Sequence, residues 1–143
     1  MPRTTTVTFR WQPEYTVFDD ELDRHHQQLI RYIQVLDDPA NRGRADSDFL
    51  KMVVDGLVAY AVFHFDAEEA RMAAAGYPGL EGHRREHLDF ARDAALFKDT
   101  FGRGSPRFER IVLSYLKDWL QGHILTSDKQ MGLWLKEHLP TAP

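Results

Sequence analysis

The 143-residue sequence contains no cysteine. That excludes disulfides, thiolate metal sites and cysteine nucleophiles, and it is compatible with a reducing compartment, so a cytoplasmic protein is expected. Long apolar runs are also missing. No stretch approaches the roughly 20 residues of a membrane span, and the opening MPRTTTVTFRW has nothing like the apolar core of a secretory signal. Membrane insertion is therefore not expected. Positive charge is not in excess: 18 Lys and Arg face 22 Asp and Glu, for a formal net charge of −4. This argues against a nucleic-acid partner held through phosphates. There is no internal repeat, no low-complexity segment and no β-type alternation of useful length.

What remains is an ordinary globular composition, 43% hydrophobic and 28% charged, with enough length for one domain and one core. The whole chain, 1–143, reads as a single domain, with residues 1–18 an N-terminal arm and 19–139 a helical bundle. Asp19 and Asp20 offer an N-cap for a first helix, which Pro39 and Gly43 end. A second helix starts near Asp46 or Ser47 and stops at Gly76, with Pro78 preventing continuation. A third runs from about Leu80 to the TFGRGSP segment. Ser105 followed by Pro106 marks the start of a fourth. Short connections between four helices imply antiparallel neighbours, so the expected fold is all-α, an up-down-up-down four-helix bundle.

The apolar stripes of these helices carry unexpected residues. The first stripe reads Leu22, His26, Leu29, Ile33, Leu36. The second reads Phe49, Val53, Leu57, Tyr60, His64, Glu68. The third reads His83, His87, Phe90, Ala94, Phe97, Phe101, and the fourth Phe108, Val112, Tyr115, Trp119, His123. A residue four positions on is rotated by about 400°, so His64 and Glu68 share a face, as do His83 and His87. In an up-down bundle the starts of the first and third helices lie level with the ends of the second and fourth. His26, His64, Glu68, His83, His87 and His123 therefore fall at one depth and point inward.

One histidine on an apolar face is usually a hydrogen-bonded core residue. Five of them with a glutamate at one level are not explained that way. An unpaired buried carboxylate costs several kcal/mol, and no Lys or Arg lies on the stripes at that depth. A cation would satisfy the glutamate and the imidazoles together, and imidazole suits iron, zinc, copper or nickel. For two metals one more ligand is needed. Asp128 lies five residues after His123. In a regular helix it would face about 140° away, so the helix must end, loosen or bulge between Ile124 and Asp128. Thr126 and Ser127 suit such a break.

With these residues in place the chain resembles the hemerythrin family, in particular its single-domain bacterial members. The motifs are DRHHQQL with His26, HFDAE with His64 and Glu68, HRREH with His83 and His87, and HILTSD with His123 and Asp128. The resemblance implies two non-haem irons with an oxo or hydroxo bridge, with Glu68 and Asp128 also joining them. It assigns His83, His87 and His123 to one iron, and His26 and His64 to the other, which keeps a position open for O2. It implies reversible O2 binding for carriage, storage or delivery, hence a binding protein rather than an enzyme, with O2 as ligand and an O2-accepting protein as an unidentified partner. Leu29, Phe65, Trp119, Leu120 and Ile124 would line the O2 pocket, while also serving as core.

Asp23, Glu69 and Glu86 are candidates to orient ligating histidines, although each also reads as a solvated helix charge. His25, beside the first ligand, is expected to point elsewhere, and His138 to be a surface residue. Met131 stands where many relatives carry a tyrosine, and a thioether cannot donate as a phenol does. Four other readings compete. HRREH also fits the H-x-x-E-H zinc pattern of inverzincin proteases, which leaves His26, His64, Glu68, His123 and Asp128 unexplained. The others are O2 or redox sensing through a separate partner, a di-iron oxidase or NO-handling enzyme, and a purely structural bundle.

Overall fold

The computed structural model of the protein describes residues 9–38, 47–100 and 106–138. Pro39, Gly43, Asp46, Phe101 and Ser105, and the first eight residues of the arm, lie outside the described residues, as does the side chain of Phe108. The order of helices is α1 (Asp20–Asp37), α2 (Ser47–Ala75), α3 (Leu80–Thr100), α4 (Pro106–His123) and α5 (Lys129–His138). A π-helical turn, Ile124–Asp128, joins the last two, and a 3-10 turn, Pro13–Tyr15, precedes α1. There is no strand among the described residues.

Local chemistry explains the boundaries. Asp19 is the N-cap of α1: its carboxylate accepts from the Leu22 backbone N–H at 3.0 Å. Asp20, Glu21 and Asp23 place negative charge on the positive end of the helix dipole. At the far end of α2, Gly76 adopts φ +71°, the left-handed conformation that favours glycine. The Tyr77 N–H then reaches Met72 O and the Gly76 N–H reaches Ala73 O, which caps the last carbonyls before Pro78 stops the chain.

The helices form a four-helix bundle. α1 packs on α2 and α4, and α2 on α3. Rings of α3 and α4 meet at Phe90 and Trp119, 4.5 Å apart. Arg71, near the end of α2, pairs with Asp19 and Glu21 at the start of α1, so these two ends lie level. One cluster, including Leu29, Ile33, Leu57, Phe90, Leu116 and Leu120, fills the middle of the bundle. Each such side chain contributes about 1.5–3 kcal/mol by burial, which makes this cluster the frame on which the polar end is built.

The expected stripes hold closely on α1. On α2 the fully buried positions are Val54, Leu57, Ala61, His64, Phe65, Glu68 and Met72, while Phe49, Val53 and Tyr60 are only half-buried. The buried face there is wider than one stripe, because α2 packs on both α1 and α3. Tyr115 is likewise half-buried and donates its hydroxyl to Asp93 at 2.7 Å.

The arm closes the polar end. Asp23 accepts from Thr16 Oγ1 at 2.6 Å and the Val17 N–H at 2.9 Å. It anchors the arm and orients none of the histidines. Lys129 Nζ donates to the carbonyls of Glu14 and Thr16. A Cβ on Gly132 would come within 2.5 Å of the Val17 carbonyl oxygen, so only glycine allows the arm to lie this close to α5. Val17, Leu22, Met72, Met131 and Leu135 form a second apolar cluster beneath it.

Candidate metal centre

Each helix delivers its polar residues to one level. α1 brings His26, α2 brings His64 and Glu68, α3 brings His83 and His87, and α4 brings His123. All six are buried, and so is Asp128. The π-helical turn, Ile124–Asp128, supplies the break expected in the fourth helix. Its i to i+5 repeat brings Asp128 round to the face of His123. Thr126 Oγ1 donates to Gly122 O at 2.7 Å, the side-chain bond to backbone that compensates such a break.

The donor atoms fall into two overlapping groups, and within each all lie inside 4.8 Å of one another. One comprises Glu68, His83, His87, His123 and Asp128, the other His26, His64, Glu68 and Asp128. The two carboxylates belong to both. Glu68 Oε2 lies 2.9 Å from His64 Nε2 and 3.2 Å from His26 Nε2, and its Oε1 lies 3.1 Å from His87 Nε2 and 3.4 Å from His83 Nε2. Asp128 Oδ2 lies 3.0 Å from His26 Nε2, and its Oδ1 lies 2.8 Å from His83 Nε2 and 3.0 Å from His123 Nε2. Each carboxylate thus gives one oxygen to each group of histidines.

Several of these atoms lack hydrogen bonds despite such close spacing. His64 Nε2, His83 Nε2, Glu68 Oε1 and both oxygens of Asp128 are buried with no hydrogen-bond partner among the described residues. Native interiors satisfy nearly all buried polar atoms. Orphaned nitrogens and oxygens converging on common points are the environment a cation requires. The donor set, imidazole with carboxylate, suits a first-row transition metal.

Outside this ring, His87 Nδ1 donates to Glu69 Oε2 at 2.8 Å and His123 Nδ1 to Glu86 Oε1 at 2.8 Å. These bonds leave the Nε2 atoms as the inward-facing donors, as metal-binding histidines require. Glu69 and Glu86 are therefore orienting groups and not merely solvated charges. Each neighbours a ligand in sequence but reaches an imidazole on the next helix, so the packing of α2 on α3 and of α3 on α4 decides its partner. Ser127 also donates to Glu86, at 2.7 Å. Thus engaged from outside the ring, Glu86 is not positioned as the water-activating glutamate that an H-x-x-E-H zinc site needs. Two rings cover the outer histidines: Phe65 stacks on His87 at 3.9 Å, and Trp119 on His123 at 4.5 Å. Leu29, Leu120 and Ile124 are buried in the same apolar cluster as Phe65.

His25 departs from expectation. It is buried, and its Nδ1 lies 2.9 Å from Nδ1 of His64. Spacing does not reveal this, because a residue adjacent to a ligand sits about 100° round the helix, and only the neighbouring α2 gives it a partner. His138 is exposed, bonded to the Trp134 carbonyl.

Charge balance in the metal-free chain is set by protons. Burial pushes the Glu68 carboxyl up, but the imidazoles, His64 foremost, outweigh it and hold it well below its ordinary range. Burial and the Glu68 charge raise Asp128, and His123 and His26 more than reverse this. Burial lowers His26 and His83, yet the carboxylates of Asp128 and Glu68 close beside them raise both to about 9. Burial likewise opposes the charge of His123, but Asp128 and Glu86 raise it to about 10. Raised histidine values stabilise the fold fully below their ordinary value of 6.5, and this contribution is lost as pH rises through 9–10. The metal-free protein is therefore expected to lose thermal stability from roughly pH 7 to pH 10, and the metal-loaded protein to be nearly flat there. Melting curves with and without chelator check this; parallel slopes would contradict it.

Comparison with known proteins agrees with this geometry. The family model described as the hemerythrin HHE cation binding domain matches residues 17–135. A hemerythrin-like protein of Naegleria gruberi is 32% identical over 128 residues, covering 90% of this chain and 94% of its own. A bacteriohemerythrin of Stenotrophomonas maltophilia is 28% identical over 132 residues, covering 90% and 82%. Myohemerythrin-1 of Phascolopsis gouldii is 32% identical over 118 residues, covering 82% and 87%. A crystal structure of wild-type hemerythrin superposes with a TM-score of 0.73 at 26% identity, covering 87% of this chain and 95% of that one.

Proposed function

The chain belongs to the hemerythrin family, and from that premise we propose that it binds O2 reversibly at a non-haem di-iron centre, for carriage, storage or delivery. The observation that carries this reading is the division of each carboxylate between two groups of histidines. In the proposal Glu68 and Asp128 join the irons, along with an oxo or hydroxo group. His83, His87 and His123 complete one metal's protein ligands, and His26 and His64 those of the other, where fewer protein ligands leave room for O2. When bound, the iron pair supplies the redox chemistry of O2 uptake and release.

The protein's own part is to hold and insulate that pair. Five imidazoles and two carboxylates donate less negative charge than the four carboxylates and two histidines of ferritin-like di-iron sites. This favours a binding protein over an oxidase that cleaves O2. Glu69 and Glu86 fix the inward tautomer of His87 and His123, and Phe65, Trp119, Leu29, Leu120 and Ile124 keep water away. The whole chain, 1–143, serves as one domain in this reading. No helix among the described residues is long and apolar enough to cross a membrane.

The test is an oxygen cycle on the reduced, iron-loaded protein. A visible absorption band is expected to appear with O2, to vanish under argon and to return on repetition. A band that never reverses, or peroxide released with each cycle, would refute reversible binding in favour of oxidase chemistry.

A further inference from the structure

The histidines on the two sides of the centre are held by different chemistry. His87 and His123, in the three-histidine group, each donate Nδ1–H to a carboxylate. In the two-histidine group, His26 Nδ1 is buried without a partner among the described residues. Among the described residues, His64 Nδ1 meets the Nδ1 of His25, at 2.9 Å. The His25 ring is fixed edge-on to Tyr60 at 5.8 Å, tilted on Phe63 at 5.1 Å and perpendicular to His64. It also lines an open depression of about 380 Å³, with Glu21, Arg24, Gln28 and Arg31 around it.

Two nitrogens 2.9 Å apart share one proton. For His64 to offer the Nε2 lone pair to a metal, that proton must sit on His64 Nδ1, and His25 Nδ1 must accept it. A carboxylate can only accept, so Glu69 and Glu86 impose the metal-binding tautomer on their histidines. An imidazole accepts in one tautomer and donates in the other. His25 therefore supports the ligating form of His64 without imposing it. Packing fixes where the His25 ring lies, and the hydrogen bond holds the Nδ1 edge of His64 outward, leaving Nε2 to face inward.

We propose that His25 is a positioning residue for His64, accepting its Nδ1 proton so that Nε2 faces the metal, and that the two-histidine metal position alone depends on it. This rests on the two-metal reading above. Loss of such an orienting partner typically weakens metal binding about 10–100-fold. Here the effect falls on one of two metals.

The test is anaerobic titration of the metal-free full chain with Co(II), followed by its absorption spectrum, in the parent, His25→Leu and His25→Gln. The parent is expected to take up two equivalents in two steps. His25→Leu should leave the first step unchanged and weaken the second about 10–100-fold. His25→Gln, whose amide oxygen can accept the same proton, should restore it to within a few-fold. A parent that takes one equivalent would overturn the two-metal reading itself. A Leu variant that takes both equivalents as the parent does would overturn the role of His25. So would equal weakening of both steps in the Leu and Gln variants, which marks His25 as core packing. Should the Leu variant not fold, the 15N spectrum of the zinc-loaded parent decides on His25 itself: a bare Nδ1 with the proton on Nε2 supports its role as acceptor from His64, and a proton on His25 Nδ1 overturns it.

Discussion

Glu68→Ala is expected to abolish the paired metal site, with iron falling from about two per chain to one or none. Glu68 is fully buried and touches four of the five inward histidines within 3.4 Å. On the two-metal reading its removal takes away one oxygen from each metal position and leaves a gap among the imidazoles. The loss extends to stability. A ligand present at a thousand times its dissociation constant stabilises the fold by about 4 kcal/mol, and the variant forfeits most of that. The melting temperature of the iron-loaded variant should approach that of the chelated parent. Glu69→Ala is the informative comparison. Because Glu69 touches His87 from outside the ring and otherwise pairs with Arg84, that variant should keep both irons with affinity weakened about 10–100-fold. Metal analysis after dialysis, with melting curves, separates the two. Full iron content in Glu68→Ala would remove Glu68 from the set of shared ligands.

Leu120→Asn is expected to keep both irons and shorten the life of the oxygenated protein about tenfold or more, a barrier change of roughly 1.4 kcal/mol. Leu120 is 1% exposed and lies one helical turn before His123, so it leans over the same face of α4. An apolar wall keeps the local dielectric low and supplies no proton. Under the proposed function, a wall without a proton donor would favour release of O2 itself. An amide at this position brings N–H donors and draws water, which would favour loss of reduced oxygen instead. The variant also costs about 1–3 kcal/mol of stability through an unsatisfied buried amide. Decay of the visible band in air-saturated buffer, with iron counted before and after, measures the effect. Decay at the parent rate with both irons retained would make Leu120 core packing alone.

The sequence and the structure agree where helical geometry alone sets position. His64 with Glu68 and His83 with His87 are four apart, so any helix puts them on one face. The bundle's topology then brings His26 and His123 level with them. Asp128 is legible only conditionally. Its offset from His123 requires an irregular turn, and the π-helical turn with the Thr126 back-bond provides it. The outer partners are harder to read. Glu69 and Glu86 sit beside ligands, but surface helices are full of such charges, and only the packed neighbour shows which imidazole each one meets. The place of His25 is hidden in the sequence because its partner is 39 residues away on another helix. Asp23 lies close to the ligands in sequence, yet its bonds go to the arm, whose approach to α5 depends on Gly132 and Val17. Such long-range contacts leave no periodic trace in the chain.

Sharing of Glu68 and Asp128 between two irons would be visible crystallographically. The most direct measurement is an anomalous-difference map at the iron edge from crystals of the iron-loaded chain, with iron per chain counted in the same preparation. Two peaks per chain are expected. One lies among His83, His87 and His123 and the other between His26 and His64, and each is at bonding distance, about 2.0–2.2 Å, from one oxygen of Glu68 and one of Asp128. A single peak, or two peaks that do not share these carboxylates, would contradict it.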